Sequence, residues 1–149
     1  KYAIYYLSKY SSSKKNLEYI LIKKIRRLTD EKKLRFQLYK EIKIIIEKLE
    51  QMKLINDAIY AESKINSLLN QVKSKNYIKQ YLTRKGIKSE LADEQISLFY
   101  EKNQNLEKEN ALKFAKKRNL LNNNIDYEKK LSKMARAGFS YEIVKEILK

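Results

Sequence analysis

Tyr81-Leu82-Thr83-Arg84-Lys85-Gly86-Ile87-Lys88-Ser89-Glu90-Leu91 and Lys133-Met134-Ala135-Arg136-Ala137-Gly138-Phe139-Ser140-Tyr141-Glu142-Ile143 are two copies of one pattern, and they hold the only two glycines of the chain. In both, Arg stands two before Gly, an apolar residue follows it, and Glu comes four after. The pattern reads as a helix C-terminus. Gly takes the left-handed position just past the end, the next apolar residue packs back on the last turn, and a new helix starts two or three residues on. Arg in the last turn also suits the negative end of the helix dipole. A chain that repeats such a turn repeats a helical unit.

Working outward, the residue choice is helical throughout: no Pro, two Gly, and abundant Lys, Glu, Leu and Ile over 149 residues. Residues 2–10 form a short helix, Ser11-Ser12-Ser13 is a break, and Ser13 caps a helix to about Leu28. Its apolar positions Leu17, Ile20, Leu21, Ile25 and Leu28 fall on one face. A long helix then runs to about Lys53, with Leu34, Leu38, Ile42, Ile45, Ile46 and Leu49 inward. Asn56 or Asp57 caps the next, which carries Ala61, Ile65, Leu68 and Val72 on one stripe. Ser74 starts the helix that ends at Gly86, and Glu90–Lys102 follows with Leu91, Leu98 and Phe99. The last helices span about 106–121, 126–137 and 141–148. Neither a continuous heptad seam nor an alternating strand pattern is present. The expected fold is all-α, an elongated array of three tandem three-helix units at 1–55, 56–105 and 106–149.

Composition narrows function. His and Cys are both absent, which removes His-paired nucleophiles, thiol chemistry and the usual zinc or haem sites. Of the four Asp (Asp30, Asp57, Asp93, Asp126), three lie near predicted helix starts, where capping explains them. The Glu residues have basic neighbours at helical spacing, as in Glu31 with Arg35 and Glu109 with Lys113, which reads as solvated ion pairs. No catalytic residue, metal site or cofactor is expected. No apolar run reaches the length of a membrane span. There is no signal-peptide pattern, and a chain opening on Lys1 is expected to have lost residues before it. Lack of Cys suits a reducing cytoplasm, the expected location.

Net charge is +16, which implies an acidic partner such as nucleic acid, a membrane surface or an acidic protein. Lys, Asn, Ile and Tyr are abundant together, as in an AT-rich coding sequence, so the six Arg are more informative than any single Lys. Basic residues cluster on the helices before the glycines and at the junctions. The candidates for an extended basic strip are Arg26, Arg27, Lys33, Arg35, Arg84, Lys85, Lys116, Lys117, Arg118, Lys129, Lys130 and Arg136, with Gly86 and Gly138 as structural turns. Such a strip tracks a phosphate backbone or an acidic groove without reading sequence. The helix after Gly86 carries Glu90, Asp93, Glu94 and Glu101, which disfavours insertion into a DNA major groove. The twelve Tyr fall mostly at core spacing.

The ordered set Tyr6-Leu7-Ser8, a Ser before a basic helix, Leu54-Ile55-Asn56-Asp57-Ala58-Ile59-Tyr60-Ala61, Leu82-Thr83-Arg84-Lys85-Gly86-Ile87 and Arg136-Ala137-Gly138-Phe139-Ser140-Tyr141 resembles the RecX family of bacterial regulators of the recombinase RecA. The likeness covers nearly the whole chain. Two departures stand out: Asn56-Asp57 replaces a pair of Asp, which keeps a cap. Lys73-Ser74 stand where a Gly usually precedes the middle helix, implying a less sharply turned loop. The resemblance implies a curved array lying in the groove of a RecA filament on single-stranded DNA, restraining filament growth, ATP hydrolysis, strand exchange and co-protease activity. Expected partners are that filament and single-stranded DNA, with non-specific double-stranded DNA as a further one, for a monomer that avoids membranes. The alternative is a sequence-neutral helical DNA-binding protein acting directly on nucleic acid.

Overall fold

The computed structural model describes residues 1–149 and consists of nine helices without a strand: α1 (Tyr2–Lys9), α2 (Lys14–Leu28), α3 (Lys32–Gln51), α4 (Asp57–Asn70), α5 (Lys75–Arg84), α6 (Ser89–Lys102), α7 (Leu106–Lys117), α8 (Tyr127–Arg136) and α9 (Tyr141–Ile147). In chain order they form three successive trios. By packing the chain divides into two compact units, residues 1–60 with 85–87, and residues 61–84 with 88–149.

In the first unit, α1, α2 and α3 bury Ala3, Leu17, Leu21, Ile42, Leu49 and Ile55 together, with Tyr6, Leu7, Ile25 and Tyr39 closing over them. Each buried Leu or Ile removes enough apolar surface from water to contribute about 1.5–3 kcal/mol. The i, i+4 pairing of Leu17 with Leu21 sets one face of α2 against α3. Leu28, Leu34 and Ile45, expected inward, are exposed. Leu34 and Ile45 lie at one edge of the α3 stripe, and Leu28 is the last residue of α2.

In the second unit, Ile65, Leu68, Ile78, Leu82, Ala92 and Ile96 are buried. Ala111, Ala115, Leu120, Met134, Phe139 and Val144 form the core of its C-terminal part. Leu98, expected inward, is exposed. So are six of the twelve tyrosines, and only Tyr60 is fully buried. Helical spacing alone did not identify core tyrosines, because the phenol tip lets the ring stand at a wet boundary.

Helix starts follow the expected chemistry. Ser13 Oγ accepts from Asn16 N at 3.1 Å and Ser74 Oγ from Tyr77 N at 3.1 Å. Asn56, not Asp57, caps α4, its Oδ1 accepting from Ala58 N and Ile59 N at 2.9 and 3.1 Å. Asp57 instead accepts from Lys14 N at 2.8 Å, capping α2.

Helix ends use the left-handed residue in five places. Gly86 and Gly138 have φ of +77° and +92°, as expected, and Lys53, Val72 and Asn119 join them at +57°, +63° and +54°. After α8 the Gly138 N–H donates to Ala135 O and Phe139 N–H to Met134 O, at 2.9 and 3.3 Å. That is the paired bonding of a Schellman turn. The same pair closes α4 through Val72 and Lys73, and α7 through Asn119 and Leu120. Two expectations are corrected here. The loop before α5 is sharply turned, with Val72 carrying the left-handed conformation that Gly would take. And α7 stops at Lys117 rather than near residue 121, because the turn at Asn119 sends Leu120 into the core.

Candidate basic interface

The two glycine turns do more than end helices. Ser13 Oγ donates to the Lys85 carbonyl, one residue before Gly86. Ser74 Oγ donates to the Ala137 carbonyl, one before Gly138, at 2.7 Å. Both serines are fully buried. A Cβ added at Gly86 would strike the Lys15 side chain, and one at Gly138 would lie 2.5 Å from Ser74 Oγ. A carboxylate completes each arrangement: Asp57 on Lys14 N, and Glu107 on Lys75 N at 3.0 Å through both oxygens. The middle helices of the first two trios, α2 and α5, thus each begin on a Ser that both caps its own first turn and ties down a glycine turn.

Glu107 is the one half-buried carboxylate with a shifted titration. Burial pushes it above the ordinary range, against the Lys75 N–H and the Tyr100 hydroxyl, which donates to it at 2.8 Å. Burial first, and then the Glu107 charge, push the Tyr100 phenol up. This pair serves as a helix cap. No group of three or more His, Cys, Asp or Glu comes together, and no helix is long and apolar enough to cross a membrane.

The basic candidates divide by placement. Arg35 is occupied: its Nε donates to Thr29 O at 2.7 Å, and NH2 donates to Arg26 O at 3.0 Å and pairs with Asp30 at 2.8 Å. It closes the C-terminus of α2, so its partner is Asp30 rather than the expected Glu31. Similarly, Glu109 accepts from Asn103 Nδ2 rather than pairing with Lys113. Lys130 is buried, only 9% exposed, which takes it off any exposed strip. Lys85 is half-buried beside Gly86. Arg26, Arg27 and Lys33 are exposed around the α2–α3 junction, with Arg26 Nε donating to Tyr39 OH at 3.4 Å. Arg84, Lys116, Lys117, Arg118, Lys129 and Arg136 are exposed in the second unit.

Within that second unit the fold brings two of these arginines together. A groove of about 390 Å³ is lined by Val72, Lys73, Tyr77, Phe114, Arg118, Lys133, Arg136 and Ala137. It joins the turn before α5, the end of α7 and the last turn of α8. Lys73 Nζ and the Arg84 guanidinium lie 4.6 and 5.8 Å from the centre of the Tyr77 ring, and the Arg118 guanidinium lies 5.7 Å from that of Phe114. Such contacts hold a cation in place while leaving its hydrogen-bonding edge available. No carboxylate lines the groove. None of Lys73, Arg84, Arg118, Lys133 and Arg136 takes part in an ion pair.

Another groove in the same unit, about 780 Å³, is lined by both signs of charge, with Lys79 paired to Asp93 and Glu107 opposite. Lys73, Tyr77 and Phe114 stand outside the candidates that the sequence offered. Their signal was aromatic and cation four apart, at Lys73/Tyr77 and Phe114/Arg118.

Residues 56–95 match the family of the RecX second three-helix domain. The chain is 35% identical to the regulatory protein RecX of Clostridioides difficile strain 630 over 128 residues, covering 79% of this chain and 59% of that protein. It is 26% identical to the regulatory protein RecX of Myxococcus xanthus strain DK1622, covering 98% of this chain and 81% of that one. The crystal structure of RecX from Lactobacillus salivarius superposes with a TM-score of 0.71 at 30% identity, covering 99% of this chain and 90% of that one. The chain therefore spans a little under two thirds of its Clostridioides relative and most of the Lactobacillus one. At 30% identity over 90% of the Lactobacillus protein, and with the second three-helix domain matched at residues 56–95, the chain belongs to the RecX family.

Proposed function

We propose that this chain binds the RecA–single-stranded DNA filament and modulates, mainly by inhibition, the recombinase, ATPase and co-protease activities of RecA in DNA repair. One observation beside the family membership supports the reading. Arg26, Arg27, Lys33, Arg84, Lys116, Lys117, Arg118, Lys129 and Arg136 are all exposed, and none is neutralised by an ion pair. Unpaired cations on a helical scaffold suit a partner whose charge is acidic and repetitive. In this reading the three units at 1–55, 56–105 and 106–149 act as a cytoplasmic monomer without catalysis of their own.

The deciding experiment compares DNA-dependent ATP hydrolysis by RecA with binding to bare DNA. Slowing of hydrolysis at protein concentrations well below those that bind bare DNA is the expected result. Equal affinity for filament and bare DNA would instead assign the chain to direct, sequence-neutral DNA binding.

A further inference from the structure

We propose that the groove formed by Lys73, Tyr77, Phe114, Arg118, Lys133 and Arg136 is a seat for the phosphodiester backbone of single-stranded nucleic acid. It rests on the reading above only in taking nucleic acid as a partner, and it assigns that contact to one place.

Three features choose this ligand. First, charge is segregated. The groove gathers four lining cations, with Arg84 also over the Tyr77 ring, and no carboxylate, whereas another groove of the same unit carries both signs. Arginine forks onto phosphate oxygens in a way that point charges cannot.

Second, the rings already carry cations. Tyr77 has Lys73 and Arg84 over it, and Phe114 has Arg118. Their role is then to fix cations rather than to read bases, which makes the contact sequence-neutral and its energy electrostatic.

Third, the backbone is spoken for. The Lys73 carbonyl accepts from Asn110 Nδ2 and the Ala137 carbonyl from Ser74 Oγ. An acidic peptide laid in extended form would find both of these acceptors already carrying one hydrogen bond, and peptide recognition by strand addition needs a row of free ones. A phosphodiester needs only donors. At about 390 Å³ the groove is within the usual span of small-ligand sites, roughly 300–1,000 Å³, so it holds a short stretch of backbone rather than a duplex.

The test uses the full chain and a fluorescein-labelled oligothymidylate, read by anisotropy across a salt series without RecA. The variants are Arg118→Gln with Arg136→Gln, the single Lys133→Gln, and Arg26→Gln with Arg27→Gln as a control in the other unit. The groove pair should weaken binding by about tenfold or more near 0.1 M salt. It should also flatten the log–log salt dependence by about 1.4, if each arginine meets one phosphate at roughly 0.7 apiece. Lys133→Gln should flatten it by about 0.7, which keeps the idea testable if the pair folds poorly. The control pair should be several-fold milder.

The same variants are scored for slowing of RecA ATPase. A groove pair that binds the oligonucleotide like wild type but no longer slows RecA overturns the seat, assigns the groove to an acidic protein surface, and leaves the regulator reading standing. A wild type that does not slow RecA, combined with loss of oligonucleotide binding in the groove pair, upholds the seat and removes the regulator reading.

Discussion

Gly138→Ala offers a sharp test of the serine–glycine junction when it is made in two backgrounds. At φ +92° an alanine incurs roughly 1–2 kcal/mol for the left-handed conformation alone. Its Cβ would also stand 2.5 Å from Ser74 Oγ, a distance that no carbon and hydroxyl tolerate. Ser74 must then give up its bonds to the Ala137 carbonyl and from the Tyr77 amide, each worth about 0.5–1.5 kcal/mol net. The expected cost in the wild-type background is about 2–5 kcal/mol.

Ser74→Ala loses the same two bonds by itself. In that background Gly138→Ala should cost only the conformational share of roughly 1–2 kcal/mol. The double variant is therefore more stable than additivity predicts, by about 1–3 kcal/mol. Urea titration followed by far-UV circular dichroism measures all four proteins, with equal denaturant slopes required before energies are compared. Additive costs within about 0.3–0.5 kcal/mol would show that Ser74 and Gly138 do not feel each other, and the junction would not be the device described.

At position 72 the order of substitutions should invert the usual helix ranking. Both Val72→Gly and Val72→Ala delete the side chain, yet Gly should be more stable by about 1 kcal/mol in thermal melts, because the turn is left-handed. An alanine more stable than glycine would mean that the turn is absent. Arg35→Ala should lower stability by about 1–2 kcal/mol through loss of the α2 C-terminal bonds, while Arg27→Ala on the exposed face stays within ±0.5 kcal/mol in the same melts. For pH, the Glu107 carboxyl is raised above 4.5 in the folded protein, so the fold binds that proton more tightly than the unfolded chain. Its stabilising share is fully present below pH 4.5 and is lost as pH rises through the folded value. Glu107→Gln should flatten this part of a urea-midpoint profile, and an unchanged profile would count against the burial of that carboxyl.

Much of the fold could be read from the sequence because a few residue types have little choice of conformation. Two glycines in a Lys-rich and Leu-rich chain had to be turns, and Ser13 and Ser74 had to be caps, since their hydroxyls suit the first free amides of a helix. Val72 gave no such sign. A β-branched residue is among the worst for a left-handed turn, and it holds one because Lys73 and Leu68 are bonded around it. The early end of α7 was hidden for the same reason: Asn119 looks like any polar helix residue. The candidate groove was half legible. Arg118 and Arg136 stood out as arginines in a lysine-rich chain, but Lys73, Arg118 and the Lys133–Arg136 turn are far apart in sequence, and only the packing of three helix ends brings them together. Lys130 shows the converse: its sequence neighbourhood is as basic as that of Lys129, and which of the two is buried depends on a single step around α8.

The serine junctions also bear on how the chain is made. Ser13 must wait for Lys85, 72 positions later, and Lys14 for Asp57, 43 positions later. At a synthesis speed of roughly 5–20 residues per second, the first interval lasts about 4–14 s. During that time α2 has its own capping hydroxyl but no carbonyl to receive it. The N-terminal helices thus leave the ribosome before the residues that finish them, and the glycine turn at Gly86 arrives as the closing part of a structure whose capping serine was made 72 positions earlier. A stop codon after α3 would yield three helices with the right sequence and an unfinished end.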